Sequence, residues 1–402
     1  MNITVAPGTL KGTVAAPPSK SFAHRMLICA SLAQGNSYIR GIGESEDVLT
    51  TVACLRQLGA EIRIENGNAE VTGGIPENAS GTVPVFDCGE SASTLRFMIP
   101  VATALRDRCL FTGTPTLLRR GIGGYEALLS AQGILLTKDT RGFRTEGRLR
   151  GGKLEVPGDL SSQYTTGLLL ALPLLPGRHE LRMLPPRVSV PYTLLTAKVM
   201  EAFGAEIRQN GEGDWQLEGG AGYRARDLNV EGDWSAAAVW YALKSLGHKI
   251  RVTGLDPDSI QGDRACTRLL AELDLAEPTV DVTDCPDLAP VLFAVAAAKH
   301  GALFTGTGRL SAKESDRVRC MASELAKFGV RSAITEDAAR IMPGGIKRPT
   351  GPLEGHGDHR LVMALTLLCV LTGGTLTGTE AVAKSYPRFF EDLKRLGLRV
   401  ER

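Results

Sequence analysis

The strongest constraint on this chain is a junction that recurs along its whole length. Leu55-Arg56-Gln57-Leu58-Gly59-Ala60-Glu61-Ile62 has a close relative in Met200-Glu201-Ala202-Phe203-Gly204-Ala205-Glu206-Ile207. Further copies read Leu325-Ala326-Lys327-Phe328-Gly329-Val330 and Leu393-Lys394-Arg395-Leu396-Gly397-Leu398. Looser ones are Leu129-Ser130-Ala131-Gln132-Gly133-Ile134 and Leu270-Ala271-Glu272-Leu273-Asp274-Leu275. The turn residue falls at 59, 133, 204, 274, 329 and 397, in steps of 74, 71, 70, 55 and 68. Six units of about 67 residues therefore account for all 402, and an internal repeat of this kind dictates the architecture before any single motif does. In each copy, apolar residues at helical spacing end at a turn residue, usually Gly, suited to the left-handed cap, and a β-branched stretch follows. After copies one, two, three and five comes a hairpin pattern, such as Ile62 to Val71 with Asn66-Gly67 as its turn. The unit is helix, strand, turn, strand, with more elements upstream. The short fourth step is read as trimmed surface loops.

The chain is long enough for two domains, and 43% hydrophobic with 22% charged residues is an ordinary globular balance. With 46 Lys+Arg against 44 Asp+Glu there is no global pull toward nucleic acid or anionic membrane, although cations can still gather in a cleft. Aromatics are only 5%, which argues against a base-stacking platform. The eight cysteines form no C-x-x-C pair and none has metal-ligand spacing to a His, so they are read as buried small hydrophobes and inert thiols. The first residues lack a charged and an apolar signal region. The longest apolar run, Leu288 to Ala298, is too short to span a bilayer. A cytoplasmic, soluble protein is expected.

Charged motifs cluster at predicted helix starts. Pro17-Pro18-Ser19-Lys20-Ser21-Phe22-Ala23-His24-Arg25 leads into an apolar helix, with Ser19 or Ser21 as a candidate cap and Lys20 and Arg25 near the anion-favouring end. Prolines stand where a phosphate loop would need backbone donors, which disfavours nucleotide hydrolysis. Asp87 through Arg96 has the same character. Thr114 through Gly124 is a glycine-flanked segment with Arg119 and Arg120, lacking the spacing of a dinucleotide fingerprint. Gly158-Asp159-Leu160-Ser161-Ser162-Gln163 offers two hydroxyls and an amide ahead of a helix. Farther on, Asp287 precedes the Leu288 helix at a position suited to capping. Lys313-Glu314-Ser315-Asp316-Arg317, Gly357-Asp358-His359-Arg360 and Lys384 follow. His356 and His359 have no third ligand spaced for a metal. Each motif alone has a plain reading as a cap or a surface ion pair. Together they suit small substrates with several phosphates or carboxylates, clamped between two domains.

In this order the motifs resemble the enolpyruvyl transferases, and within that family the EPSP synthases. The likeness rests on Ser19-Lys20-Ser21 with Arg25, Gly89 through Arg96, Arg120 with Ile122-Gly123, and Ser161-Ser162-Gln163. It continues through Ser189, Pro191-Tyr192, Glu231-Gly232-Asp233, Gln261-Gly262-Asp263, Pro286-Asp287, Lys313-Glu314, Asp316-Arg317, Asp358-His359-Arg360 and Ala383-Lys384. The resemblance implies an α/β fold of two similar domains, each of three βαβαββ units (an inside-out α/β barrel), joined by two crossover segments. It places residues 1–19 with 231–402 in one domain and 20–230 in the other. It implies transfer of the enolpyruvyl group of phosphoenolpyruvate (PEP) to the 5-hydroxyl of shikimate 3-phosphate, a step toward chorismate and the aromatic amino acids. Carried over residue by residue, Asp287, Glu314 and Lys20 become catalytic. Asp287 would take the hydroxyl proton, its pKa raised by burial beside a substrate carboxylate, and Glu314 or Lys20 would protonate the PEP methylene. Shikimate 3-phosphate would meet Lys20, Ser21, Arg25, Ser161, Ser162, Gln163, Ser189, Asp287 and Lys313, with Arg187 or a neighbour beside its phosphate. PEP would meet Lys20, Ala92, Ser93, Arg120, Gln163, Arg317, Arg360 and Lys384. The two small molecules are the expected partners, with no cofactor, metal, nucleic acid or membrane, and the chain is expected to act as a monomer.

The chain departs from the family pattern in two places. Where many members have Asn-Ala-Gly-Thr, it reads Glu90-Ser91-Ala92-Ser93, and the extra methyl of Ala92 is expected to impair glyphosate while leaving room for PEP. Arg309 stands where Asn is frequent. UDP-N-acetylglucosamine enolpyruvyl transferase is the nearest rival, but its pattern has Asn after the first Lys and a Cys on the arginine loop. Here Ser21 follows Lys20, and 117–124 has no Cys. A non-catalytic anion-binding protein on this scaffold would have no reason to keep Lys20, Asp287, Glu314 and Lys384 together. An RNA-end enzyme of related architecture is disfavoured by the balanced charge.

Overall fold

The structure, a computed structural model, describes residues 1–75 and 83–401. The chain divides into two compact units, a terminal unit of Met1–Pro17 with Gly232–Arg402 and a central unit of Pro18–Glu231. The sequence reading set the changes at 19/20 and 230/231, and the contacts set them at 17/18 and 231/232.

Three sheets build the central unit on one plan. In the second repeat, Val85–Asp87 runs parallel to Arg108–Thr112, which pairs antiparallel with Phe143–Glu146, and Leu135–Lys138 closes the edge. The third repeat copies this order with Lys153–Pro157, Gly177–Leu184, Asp214–Gly219 and Ile207–Gln209. In the first, Ala33–Arg40 and the hairpin of Glu61–Glu65 with Asn68–Gly73 are in place, but the parallel partners Tyr223–Arg224 and Leu228–Asn229 come from the far end of the unit. The terminal unit makes the converse loan. Its strand Lys11–Ala15 pairs with Lys249–Thr253, while the helix that follows it in sequence, Lys20–Leu32, belongs to the central unit. Each crossover thus separates a strand from the helix after it.

The fifth repeat is regular, with Thr279–Asp281, Ala302–Thr305, Ala338–Ile341 and Ser332–Ile334 in the same order. In the sixth, Leu353–Glu354, Gly374–Thr377 and Val400–Glu401 are completed by Ile3–Val5, so the start of the chain supplies the second hairpin strand. The fourth departs. Among the described residues its sheet has two strands, and the chain runs from helix Cys266–Glu272 directly to the first strand of the fifth repeat. The 55-residue step therefore reflects a missing hairpin, where trimmed loops were expected.

Each repeat contributes an inner helix. Lys20–Leu32, Ala92–Leu105 and Ser162–Ala171 in the central unit, and Trp234–Ser245, Ala289–Ala298 and His359–Thr372 in the terminal one, are buried over nearly their whole circumference. Their sequences are apolar or small on every side, which is why they occupy the interior. Strands such as Lys153–Pro157 and Gly177–Leu184 alternate buried and exposed positions, so one sheet face meets water. Within each unit helices lie inside and sheets outside. Five junctions carry Gly59, Gly133, Gly204, Gly329 and Gly397 at positive φ, where a side chain would be strained. All eight cysteines are free, and all but Cys320 are buried. No helix among the described residues is long and apolar enough to cross a membrane.

Candidate active site

The inner helices follow the first strands of their repeats through short loops, so their N-termini carry the charged motifs. In the central unit, Lys20 is the first residue of Lys20–Leu32 and Nζ donates to Asp47 Oδ2 at 2.7 Å. Ser19 holds the cap position without a side-chain capping bond. One turn on, Arg25 is 3% exposed, lies over the Phe97 ring and, among the described residues, is held by neutral acceptors. Its Nε donates to Thr196 Oγ1 at 2.8 Å, Nη1 to the Ser21 carbonyl at 2.7 Å, and Nη2 to Thr166 Oγ1 and the Tyr192 carbonyl at 3.2 Å. Burial pulls its pKa down to about 10, the price of a desolvated cation without a counter-ion. Ser189, in left-handed backbone with φ 55, opens Val190–Ala202, the helix that supplies Tyr192 and Thr196.

A second cluster joins the other two helix starts. Ser161 caps Ser162–Ala171 by accepting from the Gln163 N–H. Gln163 Nε2 donates to Ser93 Oγ at 3.0 Å, and Gln163 Oε1 accepts from Arg96 Nη1 at 2.7 Å. Ala92, 6% exposed, begins the helix that carries Ser93 and Arg96, and Ser91 caps it. Burial lowers the pKa of Arg96, and the neighbouring charge of Arg120 adds to this against the opposing effect of Tyr164. Among the described residues no carboxylate lies within ion-pairing distance of Arg25 or Arg96. Arg187 is engaged elsewhere, with Nη2 on Asp214 Oδ1 at 3.1 Å.

The terminal unit gathers its motifs around one guanidinium. Arg317, 1% exposed, donates from Nη1 to Asp287 Oδ1 at 2.7 Å, from Nη2 to Glu314 Oε2 at 2.8 Å and from Nε to Asp358 Oδ2 at 2.8 Å. Lys313 Nζ lies 3.7 Å from Asp287 Oδ1, and Arg360 Nη2 lies 3.5 Å from Oδ2. Asp287 therefore faces three cations. It does not cap the helix Ala289–Ala298, which begins after Leu288 without a side-chain cap. Asp358 does cap His359–Thr372, accepting from the Arg360 N–H at 2.8 Å. Lys384 Nζ donates to the Gly357 carbonyl at 2.7 Å, beside that cap.

Without substrate, burial pushes Asp287 up, but Lys313, Arg317 and Arg360 outweigh it and hold the carboxyl well below its usual range. Burial pulls Lys313 down to about 8 against the raising effect of Asp287. Arg360 Nε and Nη1 are buried without a hydrogen-bond partner among the described residues, which leaves donors for an incoming anion. Arg309, where Asn was noted as frequent, donates from Nη2 to the Thr283 carbonyl, and its charge adds to the lowering of Lys313.

Three residues were missed, Asp47, Thr166 and Thr196. Asp47 reads in sequence as an acid complementing the dipole of its own helix, Glu46–Leu58, and nothing local signals that it pairs with Lys20. Thr166 and Thr196 are ordinary buried threonines until the fold sets them around Arg25. Asp358 was visible within its motif, but its ion pair with Arg317 spans 41 residues.

A family model described as EPSP synthase (3-phosphoshikimate 1-carboxyvinyltransferase) matches residues 5–393. The protein named 3-phosphoshikimate 1-carboxyvinyltransferase from Clostridium kluyveri is 35% identical, covering 99% of this chain and 98% of its own length. Its namesake from Clostridium beijerinckii is also 35% identical, over 98% of this chain and 97% of its own. The solved EPSP synthase of Acinetobacter baumannii shares the fold, with a TM-score of 0.81 at 24% identity over 100% of both chains.

Proposed function

The chain belongs to the EPSP synthase (3-phosphoshikimate 1-carboxyvinyltransferase) family, and we propose that it transfers the enolpyruvyl group of PEP to the 5-hydroxyl of shikimate 3-phosphate and releases phosphate. The two substrates carry two phosphates and two carboxylates, so several cations must meet them. We assign the shikimate phosphate to Ser161, Ser162 and Ser189 with Arg187 or a neighbour, the shikimate carboxylate to Arg25, and further contacts to shikimate 3-phosphate to Lys20, Ser21, Gln163 and Lys313. Lys20, Ala92, Ser93, Arg120 and Gln163 in the central unit, and Arg317, Arg360 and Lys384 in the terminal unit, are assigned to PEP.

The observation that carries this reading is one carboxylate, Asp287, set against three cations. Without an anion those cations suppress its basicity. When substrate phosphate and carboxylate groups offset their charge, the Asp287 pKa rises toward the range in which it can accept a proton. Asp287 then takes the proton from the 5-hydroxyl as that oxygen attacks C2 of PEP, and Glu314 or Lys20 protonates the methylene carbon. The tetrahedral adduct loses phosphate and a methyl proton, which restores the double bond. Lys and Arg donors stabilise the charge that develops on the phosphate oxygens.

We further propose that the chain tolerates glyphosate, because the buried methyl of Ala92 narrows the space at the start of its helix. The reaction itself is tested by phosphate release from PEP with shikimate 3-phosphate, compared with PEP and UDP-N-acetylglucosamine. Turnover with the first acceptor alone is expected. Equal turnover with the second, or none with either, overturns the assignment.

A further inference from the structure

The helix Arg317–Lys327 grips the segment 353–360 at two places. At its start, Arg317 Nε donates to Asp358 Oδ2 at 2.8 Å. About two turns along, the carboxylate of Glu324, 1% exposed, reaches the same segment. Glu324 Oε2 accepts from the Glu354 N–H at 3.0 Å and from Lys327 Nζ at 2.8 Å, and Oε1 lies 3.1 Å from His356 Nε2. His356 Nδ1 also lies 3.9 Å from Glu354 Oε1. A buried carboxylate is unfavourable unless its acceptor sites are filled, and here two of the three partners belong to the loop. The loop has little freedom otherwise. A side chain at Gly355 would meet Val362 Cγ2 at 2.6 Å and the Thr377 carbonyl at 3.0 Å, and His356 holds φ 50, a conformation that side-chain-bearing residues seldom adopt.

What this loop carries gives the grip a purpose. The Gly357 carbonyl is the acceptor for Lys384 Nζ, and the Asp358 N–H donates back to the Gly355 carbonyl at 2.8 Å. Asp358 in turn caps the helix at Arg360 and binds Arg317. We propose that Glu324 and His356 are positioning residues that set the Gly357 carbonyl, and through it Lys384, for PEP. This rests on the assignment of Lys384 to PEP. Neither residue need touch a substrate, and their effect is confined to the molecule Lys384 holds.

The test is steady-state kinetics of phosphate release on the full chain, wild type against Glu324→Ala, Glu324→Gln and His356→Ala, with each substrate varied in turn. Glu324→Ala is expected to raise KM for PEP about tenfold and leave KM for shikimate 3-phosphate within about twofold, because displacing a binding group costs the ligand it binds. Glu324→Gln, which still accepts from the Glu354 N–H, is expected to restore most of the loss. His356→Ala, at a half-exposed position that tolerates truncation, is expected to raise KM for PEP about threefold in the same selective way. A parallel rise in both KM values, or an unchanged KM for PEP in His356→Ala, overturns the inference, and the second holds even if Glu324→Ala does not fold. Absence of turnover in the wild type would instead overturn the functional assignment on which it rests.

Discussion

In the central unit the inner helices begin at Ser19, Ser91 and Ser161, whereas in the terminal unit they begin at or beside Asp233, Asp287 and Asp358. The difference extends to the cations beside them. Arg25 and Arg96 lean on hydroxyls, carbonyls and an amide, with Lys20 on Asp47 the exception. Arg317 is bound by three carboxylates and Arg360 faces one of them. A cation held by neutral acceptors keeps its charge available to an outside anion. A cation already neutralised can take a new anion only as its internal carboxylates give way or gain a proton. On the proposed function, the central unit offers cations not neutralised by carboxylates, and the terminal unit would couple anion binding to proton transfer at Asp287.

The comparison breaks most visibly at Asp287. Asp287→Ala is expected to lower kcat on the order of a thousandfold, within the range found for loss of a general base, with a much smaller change in KM for shikimate 3-phosphate. Turnover near the wild-type rate would remove Asp287 from the mechanism. Next comes stability. Arg317→Met strands the fully buried Asp358 and is expected to cost about 3–5 kcal/mol in urea unfolding. Arg25→Met is expected to cost only about 1 kcal/mol, since Thr166 and Thr196 already bond to each other and Thr196 to the Tyr192 carbonyl. Equal losses would erase the distinction between the units.

A pH profile sharpens the same contrast. Lys313 is lowered to about 8 by burial, so its cation is present below that pH and lost above it. The kcat/KM for shikimate 3-phosphate is expected to fall as pH rises through about 8, and Lys313→Arg, which stays charged, is expected to flatten the fall. A decline that persists in the Arg variant would point to another group. The smallest effect is at Ala92. Ala92→Gly is expected to tighten glyphosate inhibition about tenfold with little change in KM for PEP, the discrimination one methyl group supplies. Inhibition of the wild type at low micromolar glyphosate, with PEP near its KM, would refute the proposed tolerance.

Much of this molecule was legible from residues near one another in sequence. The helix-to-strand junctions at Gly59, Gly204, Gly329 and Gly397 encode the repeat because a helix, its cap and the next strand are local matters of periodicity and backbone conformation. The placement of cations and hydroxyls at helix starts around Lys20, Ser161 and Arg360 was legible in the same way. The plain reading of Asp287 as a cap does not apply, because proximity to a helix start does not say which way a carboxylate turns, and it pairs with Arg317, thirty residues on.

The amino-acid order by itself determined that the chain has six related units and that much of its charged chemistry lies at helix starts. Only the tertiary structure decided that the fourth repeat lacks its hairpin, which strands 11–15 and 223–229 pair with, and which carboxylate meets which cation. The reason is physical. Helix starts are specified within a few residues, whereas strand partners and buried ion pairs join segments tens to hundreds of residues apart, and the packing of the inner helices brings them together.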